Sequence, residues 1–136
     1  MSRHGYSDDF DGNLQLGRCR GQVNSATRGK RGQAFFIALV EALDALPEKR
    51  LIKNELRQDG EVCTLGALGA RRGLPLETMD PEDHEGLAGV FDVAHQLIQE
   101  VEYVNDEHGY EDTPEQRWVR MRKWASEQVR SGSELK

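Results

Sequence analysis

The sequence predicts a mainly α-helical fold with one small β-hairpin (α+β), in which four to five helices form a compact, single-layer core. Two observations carry this prediction. Apolar residues recur at helical spacing in several separate segments, and an Asp-Gly pair precedes a short run that favours a strand. A chain of 136 residues has the usual length of one domain. We therefore expect a single domain over residues 1–136, with an N-terminal arm at 1–12 and a frayed tail at 131–136.

The first two helices are predicted on either side of a glycine-rich break. Apolar residues at helical spacing predict a helix over residues 13–27. The segment 29–32 interrupts this pattern, and a strongly apolar second helix follows, with a stripe from Phe36 to Leu46. Pro47 ends that helix, because proline lacks the backbone N–H that a continuing helix needs.

The middle of the chain is predicted to contain the hairpin and a short helix. Residues 50–65 fit either a helical turn or a pair of strands. The pair Asp59-Gly60 favours the hairpin, because these residue types accept the positive φ angles of a tight turn. A short helix over residues 67–72 is then expected to end at Gly73.

Two further helix starts are predicted in the second half. Asp80-Pro81 places a capping carboxylate before a proline at the first helical position. The apolar stripe from Leu87 to Val101 makes the following helix the core helix. An acidic loop is expected over residues 105–112, and the sequence TPEQ at 113–116 is a capping box that begins the last helix.

The charges are strongly segregated along the chain. The net charge is −6, yet residues 73–116 contain thirteen Asp or Glu and no Lys or Arg, while residues 1–37 and 117–136 are both net basic. Such a block concentrates negative potential, which favours a partner with a basic surface. The alternative is that these carboxylates form a solvated surface or pair with the basic segments inside the fold.

Basic residues are concentrated near the N-terminus. No Asp or Glu lies between Gly12 and Ala34, so the positive potential of this segment is not cancelled locally. The glycines at 29 and 32 leave backbone amides open to a phosphate. The basic segment consists of Arg18, Arg20, Arg28, Lys30 and Arg31.

The residue pattern indicates no catalytic, metal or cofactor site. Each histidine and cysteine stands alone, without the close pairs that bind zinc. Residues 7–12 are superficially similar to a calcium-binding loop, but Arg18 occupies the position of the required glutamate. The pair Gly29-Lys30 lacks the other residues of a phosphate-binding P-loop. We therefore expect no cofactor, no metal ion and no enzymatic activity.

The sequence also lacks export and membrane signals. No stretch reaches the roughly 18 to 20 apolar residues of a membrane span, and the start has no apolar run typical of a signal peptide. We expect a cytoplasmic protein with no membrane partner. In that compartment Cys19 and Cys63 are expected to be small buried groups that form no structural disulfide.

Three stretches carry a family resemblance: MSRHGYSDD at 1–9, GEVCTLGALG at 60–69, and EDTPEQRW at 111–118 followed by MRKW at 121–124. With these motifs, the chain resembles a family of small proteins, of no assigned activity, encoded by bacteriophages and proteobacterial prophages. The resemblance covers most of the chain, although Cys19 stands where that family often has an aromatic residue. It implies a location in the bacterial host cell. By analogy alone, small acidic phage proteins include inhibitors of bacterial defence such as anti-CRISPR proteins.

The favoured interpretation is a non-enzymatic phage or prophage accessory protein that binds a host protein or nucleoprotein complex through an acidic surface. The alternative is a nucleic-acid-binding accessory factor that uses the basic segment, and a third is an enzyme with an unrecognised site. The pattern leaves the oligomeric state open. The predicted acidic contact residues are Glu100, Glu102, Asp106, Glu107, Glu111 and Asp112.

Overall fold

The computed structural model describes residues 3–5, 21–107 and 111–130. Within these ranges the chain folds into six α-helices and one two-stranded antiparallel hairpin, which confirms the predicted mainly α fold. The helices are α1 (residues 21–28), α2 (Lys30–Ala45), α3 (Thr64–Arg71), α4 (His84–Phe91), α5 (His95–Asp106) and α6 (Pro114–Gln128). The strands are β1 (Arg57–Gln58) and β2 (Glu61–Val62), and a 3₁₀ turn spans Leu76–Thr78. The predicted arm beyond residue 5, the helix segment 13–20 and the tail from 131 lie outside the described residues.

Helix α2 is the centre of the core. One face buries Phe35, Phe36, Leu39 and Leu43, and this helix packs against both α3 and α6. Its junction with α1 is close, because a Cβ atom added at Gly32 would lie 1.9 Å from the carbonyl oxygen of Ala26. Only glycine allows this approach. The basic residues around the junction therefore lie on two helices that approach closely at Gly32.

The hairpin forms where the Asp-Gly pair predicted it. Asp59 and Gly60 both have positive φ angles (54° and 82°), as a two-residue hairpin turn requires. The register pairs Arg57 with Val62 and Gln58 with Glu61. Two-residue strands are marginal alone. Val62 is buried in the core, so the hairpin is stabilised by packing on the helices.

The predicted core helix that starts at Asp80 is in fact two helices. Helix α4 begins later, because Asp83 is the cap and its Oδ1 accepts a hydrogen bond from Gly86 N at 3.1 Å. It ends at Asp92, which adopts the left-handed conformation (φ 61°, ψ 51°). This break lets α4 fold back and pack against α5. The described residues thus contain six helices, one more than the upper number of the four to five predicted.

Helix α5 runs through Asp106, into the segment predicted as an acidic loop. Its last turn is held from outside the helix. Arg120 of α6 donates from Nη1 to the carbonyl oxygen of Val104 at 2.6 Å, and from Nη2 to that of Asn105 at 3.3 Å. A guanidinium that binds terminal carbonyls stabilises a helix C-terminus.

The capping box of α6 is confirmed. Thr113 Oγ1 accepts a hydrogen bond from Gln116 N at 3.1 Å, and Gln116 Oε1 accepts one from Thr113 N at 2.9 Å. Trp118 packs against the core and donates from Nε1 to the carbonyl oxygen of Leu43 at 3.0 Å.

None of the described helices combines the length and apolar content that crossing a bilayer requires.

Candidate functional site

Three of the six predicted acidic contact residues are internal. Glu100, Glu102 and Asp106 on α5 are only 7%, 0% and 3% exposed. The prediction that they present an exposed negative face is therefore wrong. Helix α5 is covered on more than its apolar stripe, because α3, α4, α6 and the N-terminal residues 3–5 all pack around it.

Asp106 is the centre of a buried polar cluster. Arg3 donates two hydrogen bonds to its carboxylate, from Nε at 2.6 Å and from Nη2 at 2.9 Å. Asp106 Oδ1 also accepts from Asn54 N at 3.1 Å and from Asn105 Nδ2 at 2.8 Å. Burial alone would lower the pKa of Arg3, but the contacts with Cys63 and Asp106 outweigh it and raise that pKa above its ordinary value. Asp106 therefore ties distant parts of the chain together.

Asn105 extends this cluster to the start of α3. Its Oδ1 accepts hydrogen bonds from both the backbone nitrogen and the hydroxyl of Thr64, at 3.1 and 2.8 Å. Cys63 precedes that helix as its cap, and its Sγ lies 3.5 Å from Arg3 Nη1. Cys63 is buried as a free thiol, as the sequence predicts, whereas Cys19 lies outside the described residues.

The other three predicted acidic residues lie nearer the surface. Glu107 Oε2 is 3.2 Å from His4 Nε2, and Asp112 forms an ion pair with Arg120 at 2.6 Å. Glu111 is exposed. Asp112 is paired with a cation and Glu107 contacts a histidine, so these three residues do not form one open acidic surface.

The basic segment, by contrast, remains on the surface where it is described. Arg28, Lys30 and Arg31 are exposed, while Arg18 and Arg20 lie outside the described residues. Lys30 and Arg31 line a surface depression of about 230 Å³ together with Arg72 from the end of α3. We call Arg28, Lys30, Arg31 and Arg72 the basic patch.

Arg72 is the member of the basic patch that the sequence did not suggest. It lies 41 positions beyond Arg31. The segment that contains it, residues 38–72, has six basic and six acidic residues and so no net charge. Packing of α3 on α2 brings it to the depression. The available signal was a pair of arginines, Arg71-Arg72, at the end of a short helix before Gly73.

The electrostatics of the depression are dominated by its cations. Asp92 is the one carboxylate among the described residues that line it, and its Oδ1 lies 3.2 Å from Arg31 Nη1. Both side chains are highly exposed, at 62% and 77%, so water screens this pair and it stabilises little. The positive potential of Lys30, Arg31 and Arg72 is therefore little reduced by this pair and can attract an anionic ligand.

Two aromatic residues line the depression, but their rings are not accessible to a ligand. Phe35 and Phe91 line it, and both rings are buried. The guanidinium of Arg72 lies 6.0 Å from the centroid of the Phe91 ring, which supports that side chain at the rim. Among the residues that the structure describes, those lining the depression include no hydroxyl, thiol or imidazole group. This arrangement suits binding of an anion.

Lys123 on α6 is exposed, but the arginines of this helix are engaged elsewhere. Arg117 is buried and donates to the carbonyl oxygen of Leu51 at 3.1 Å, and burial lowers its pKa below the ordinary value. Arg122 forms an ion pair with Asp44 at 2.9 Å. Trp124 is half-buried against Phe36. This helix adds no second stripe of open cations between exposed aromatic rings.

Comparisons of the chain with protein-family models, with curated proteins and with solved structures find no match. The resemblance to phage and prophage proteins thus stays an expectation from the sequence motifs. Among residues 3–5, 21–107 and 111–130, no group of three or more His, Cys, Asp or Glu side chains is arranged to hold a metal ion.

Proposed function

We propose that the protein is a non-enzymatic binding protein that contacts the phosphate backbone of nucleic acid through the basic patch. The observation that carries this proposal is the convergence of Lys30, Arg31 and Arg72, from two different helices, on one depression. This is the alternative function predicted for the basic segment, now with Arg72 added and with the segment limited to its described members.

The surroundings of the basic patch support phosphate contact over base reading. Its aromatic residues, Phe35 and Phe91, are buried and cannot stack on an unpaired base. Exposed arginines and lysines bind phosphate oxygens regardless of sequence. The net charge of −6 opposes a polyanion, so the affinity is modest and depends strongly on salt.

The burial of acidic residues also favours this proposal. The carboxylates of Glu102 and Asp106 lie inside the fold, and Arg3 neutralises that of Asp106. These groups therefore contribute little to the repulsion that an approaching nucleic acid meets. Because Arg3 cancels Asp106 in the net charge of −6, only a neutral Glu102 makes the surface less negative than that sum, by one unit.

The first prediction concerns the cations at the depression. Replacing Lys30, Arg31 and Arg72 together by alanine should weaken binding of a short DNA duplex by more than about tenfold at about 50 mM salt. The slope of log affinity against log salt should fall by roughly 2 to 3, since each phosphate contact contributes about 0.9. Fluorescence anisotropy of a labelled duplex measures both quantities, and a single-stranded oligonucleotide distinguishes the two nucleic-acid forms.

A charge-matched variant provides the control for this experiment. Replacing Lys49, Arg57 and Lys123 by alanine removes the same charge from partly or fully exposed sites elsewhere. It should leave most of the binding intact. Equal losses in both variants would mean that net charge alone governs binding, and no binding by the parent protein at micromolar concentration would reject the proposal.

A second candidate function, binding of a host protein through an acidic surface, is favoured by the segment before and within α4. Asp80, Glu82, Asp83 and Glu85 are exposed, and within the described part of the chain no Lys or Arg forms an ion pair with them. Their carboxylates would complement a basic protein surface. An inhibitor of bacterial defence belongs to this candidate, with contact residues different from those first predicted.

The second prediction tests that surface. Replacing Asp80, Glu82 and Glu85 by the matching amides, while keeping the helix cap Asp83, should abolish capture of a specific protein from a bacterial lysate, read by mass spectrometry. The matched control replaces the exposed Glu41, Glu48 and Glu55 by Gln and should retain the captured protein. If both variants capture the same proteins as the parent, this acidic segment is solvated surface.

A further inference from the structure

Residues 3–5, which we call the strap, lie across α4 and α5 and are fixed at several points. Besides the two bonds from Arg3 to Asp106, the carbonyl oxygen of Arg3 lies 2.7 Å from His84 Nε2. The carbonyl oxygen of His4 accepts from Gln99 Nε2 at 3.1 Å. Arg3 and His4 are each only 4% exposed. The strap is thus part of the interior, although most of its anchors are polar.

One imidazole nitrogen joins the strap to Glu102. His84 Nε2 lies 2.7 Å from the carbonyl oxygen of Arg3 and 3.0 Å from Glu102 Oε1. A carbonyl oxygen can only accept, so Nε2 carries the hydrogen and shares it with Glu102 Oε1. The backbone of the strap and the carboxyl group of Glu102 are therefore both hydrogen-bonded to the same N–H group of His84.

The carboxyl group of Glu102 is poorly solvated. Glu102 is fully buried, and among the described residues its Oε2 has no hydrogen-bond partner. Burial, reinforced by the carboxylates of Asp106, Glu82 and Asp80, raises the pKa of Glu102 to about 8, against the opposing effect of Arg3. The closed strap therefore favours the neutral carboxyl.

Other charged groups face this site from each packed element. Arg3 faces Glu102 from the strap, His84 from α4, Asp106 from α5, and Asp80 and Glu82 from the segment before α4. The strap makes two further such contacts, His4 with Glu107 and Arg3 with Cys63. Arg3 already forms a two-bond pair with Asp106, so an ionised Glu102 would be a second buried carboxylate beside the same guanidinium.

We propose that the strap is a proton-controlled device, closed while Glu102 is neutral and opening when that carboxyl ionises. In the open form water reaches Glu102, so its ionised form is stabilised there and ionisation drives opening. Opening breaks the Arg3–Asp106 pair and uncovers Cys63, which is fully buried in the closed form. The remaining helices keep their core, since the strap contributes polar anchors and no large apolar side chain.

The thiol of Cys63 reports on the strap. In a Cys19→Ala background, the rate of alkylation by N-ethylmaleimide is measured from pH 6 to pH 9 and divided by the rate of the Arg3→Ala variant at the same pH. The Arg3→Ala variant stands for the open form, in which Arg3 no longer contacts the thiol, so the ratio compares the parent with the open form at the same pH. We expect at least about tenfold protection of the parent at pH 6, lost by pH 9, and protection at both pH values in Glu102→Gln.

Hydrogen–deuterium exchange gives a second measurement that does not depend on removing Arg3. Relative to intrinsic rates, amide protection of the N-terminal peptide should fall about tenfold between pH 6 and pH 9 in the parent and stay constant in Glu102→Gln. Protection of α2 should stay constant in both proteins, which separates opening from global unfolding. Equal pH profiles for the parent and Glu102→Gln, in either measurement, overturn the proposal, as does loss of α2 protection in step with the strap.

Discussion

Replacing Phe91 by alanine is expected to lower the free energy of unfolding by about 3 to 5 kcal/mol. The ring is 2% exposed and packs edge-on against Phe35, with the ring centroids 6.3 Å apart. Removing it leaves a cavity between α2 and α4 that the surrounding helices can fill only in part. Urea titration followed by circular dichroism measures the loss, provided that the transition remains two-state.

The neighbouring residue supplies a matched control on the same helix. Val90 is 47% exposed, and Val90→Ala should change the free energy of unfolding by less than about 0.5 kcal/mol. A large cost at both positions would mean that α4 buries a wider face than the structure indicates. A small cost at both would remove Phe91 from the core.

The parts of the fold that follow local rules were predictable from the sequence. The capping box at Thr113 and Gln116 and the Asp59-Gly60 turn each depend on a few adjacent residues. Gly73 has a φ angle of +74°, as its predicted role at the end of α3 requires. In each case the deciding interaction lies within a few positions of the residue that signals it.

The break between α4 and α5 could not be predicted in this way. The apolar pattern from Leu87 to Val101 fits one helix, and Asp92 is not a glycine that would announce a left-handed residue. The cost of that conformation is offset by packing of α4 on α5, which is a tertiary effect. Periodicity alone carries no information about where an apolar stripe folds back on itself.

The prediction of an exposed acidic site on α5 was wrong for a related reason. The sequence shows Asp106 among many carboxylates, but its partner Arg3 lies 103 positions away. A partner at that separation gives no pattern, so a buried ion pair and a solvated carboxylate look the same. The basic segment was easier to locate, because no acid lies near it in sequence and, within the described residues, Arg31 pairs with the exposed Asp92 alone.

The burial of Glu102 has a consequence for stability that a pH titration can measure. Its pKa is about 8 in the folded state, against an ordinary value of 4.5 expected in the unfolded chain. Between these values the folded protein holds a proton that the unfolded chain has released. Stability is therefore greatest below about pH 4.5 as far as this group is concerned, and it falls as the pH rises through about 8.

Replacing Glu102 by glutamine should remove that decline. The parent is expected to lose as much as about 4 kcal/mol between pH 5 and pH 9, the loss being limited by any opening that hydrates the carboxyl. Glu102→Gln keeps the side-chain shape without the titrating proton, so it should be more stable than the parent at pH 9 and should differ least at pH 5. Urea titrations at a series of pH values measure this, with the exposed Glu48→Gln variant as a control that should follow the parent. If the parent and Glu102→Gln lose stability in parallel as the pH rises, the carboxyl of Glu102 is already ionised and paired in the folded protein, and the neutral state assigned to it is wrong.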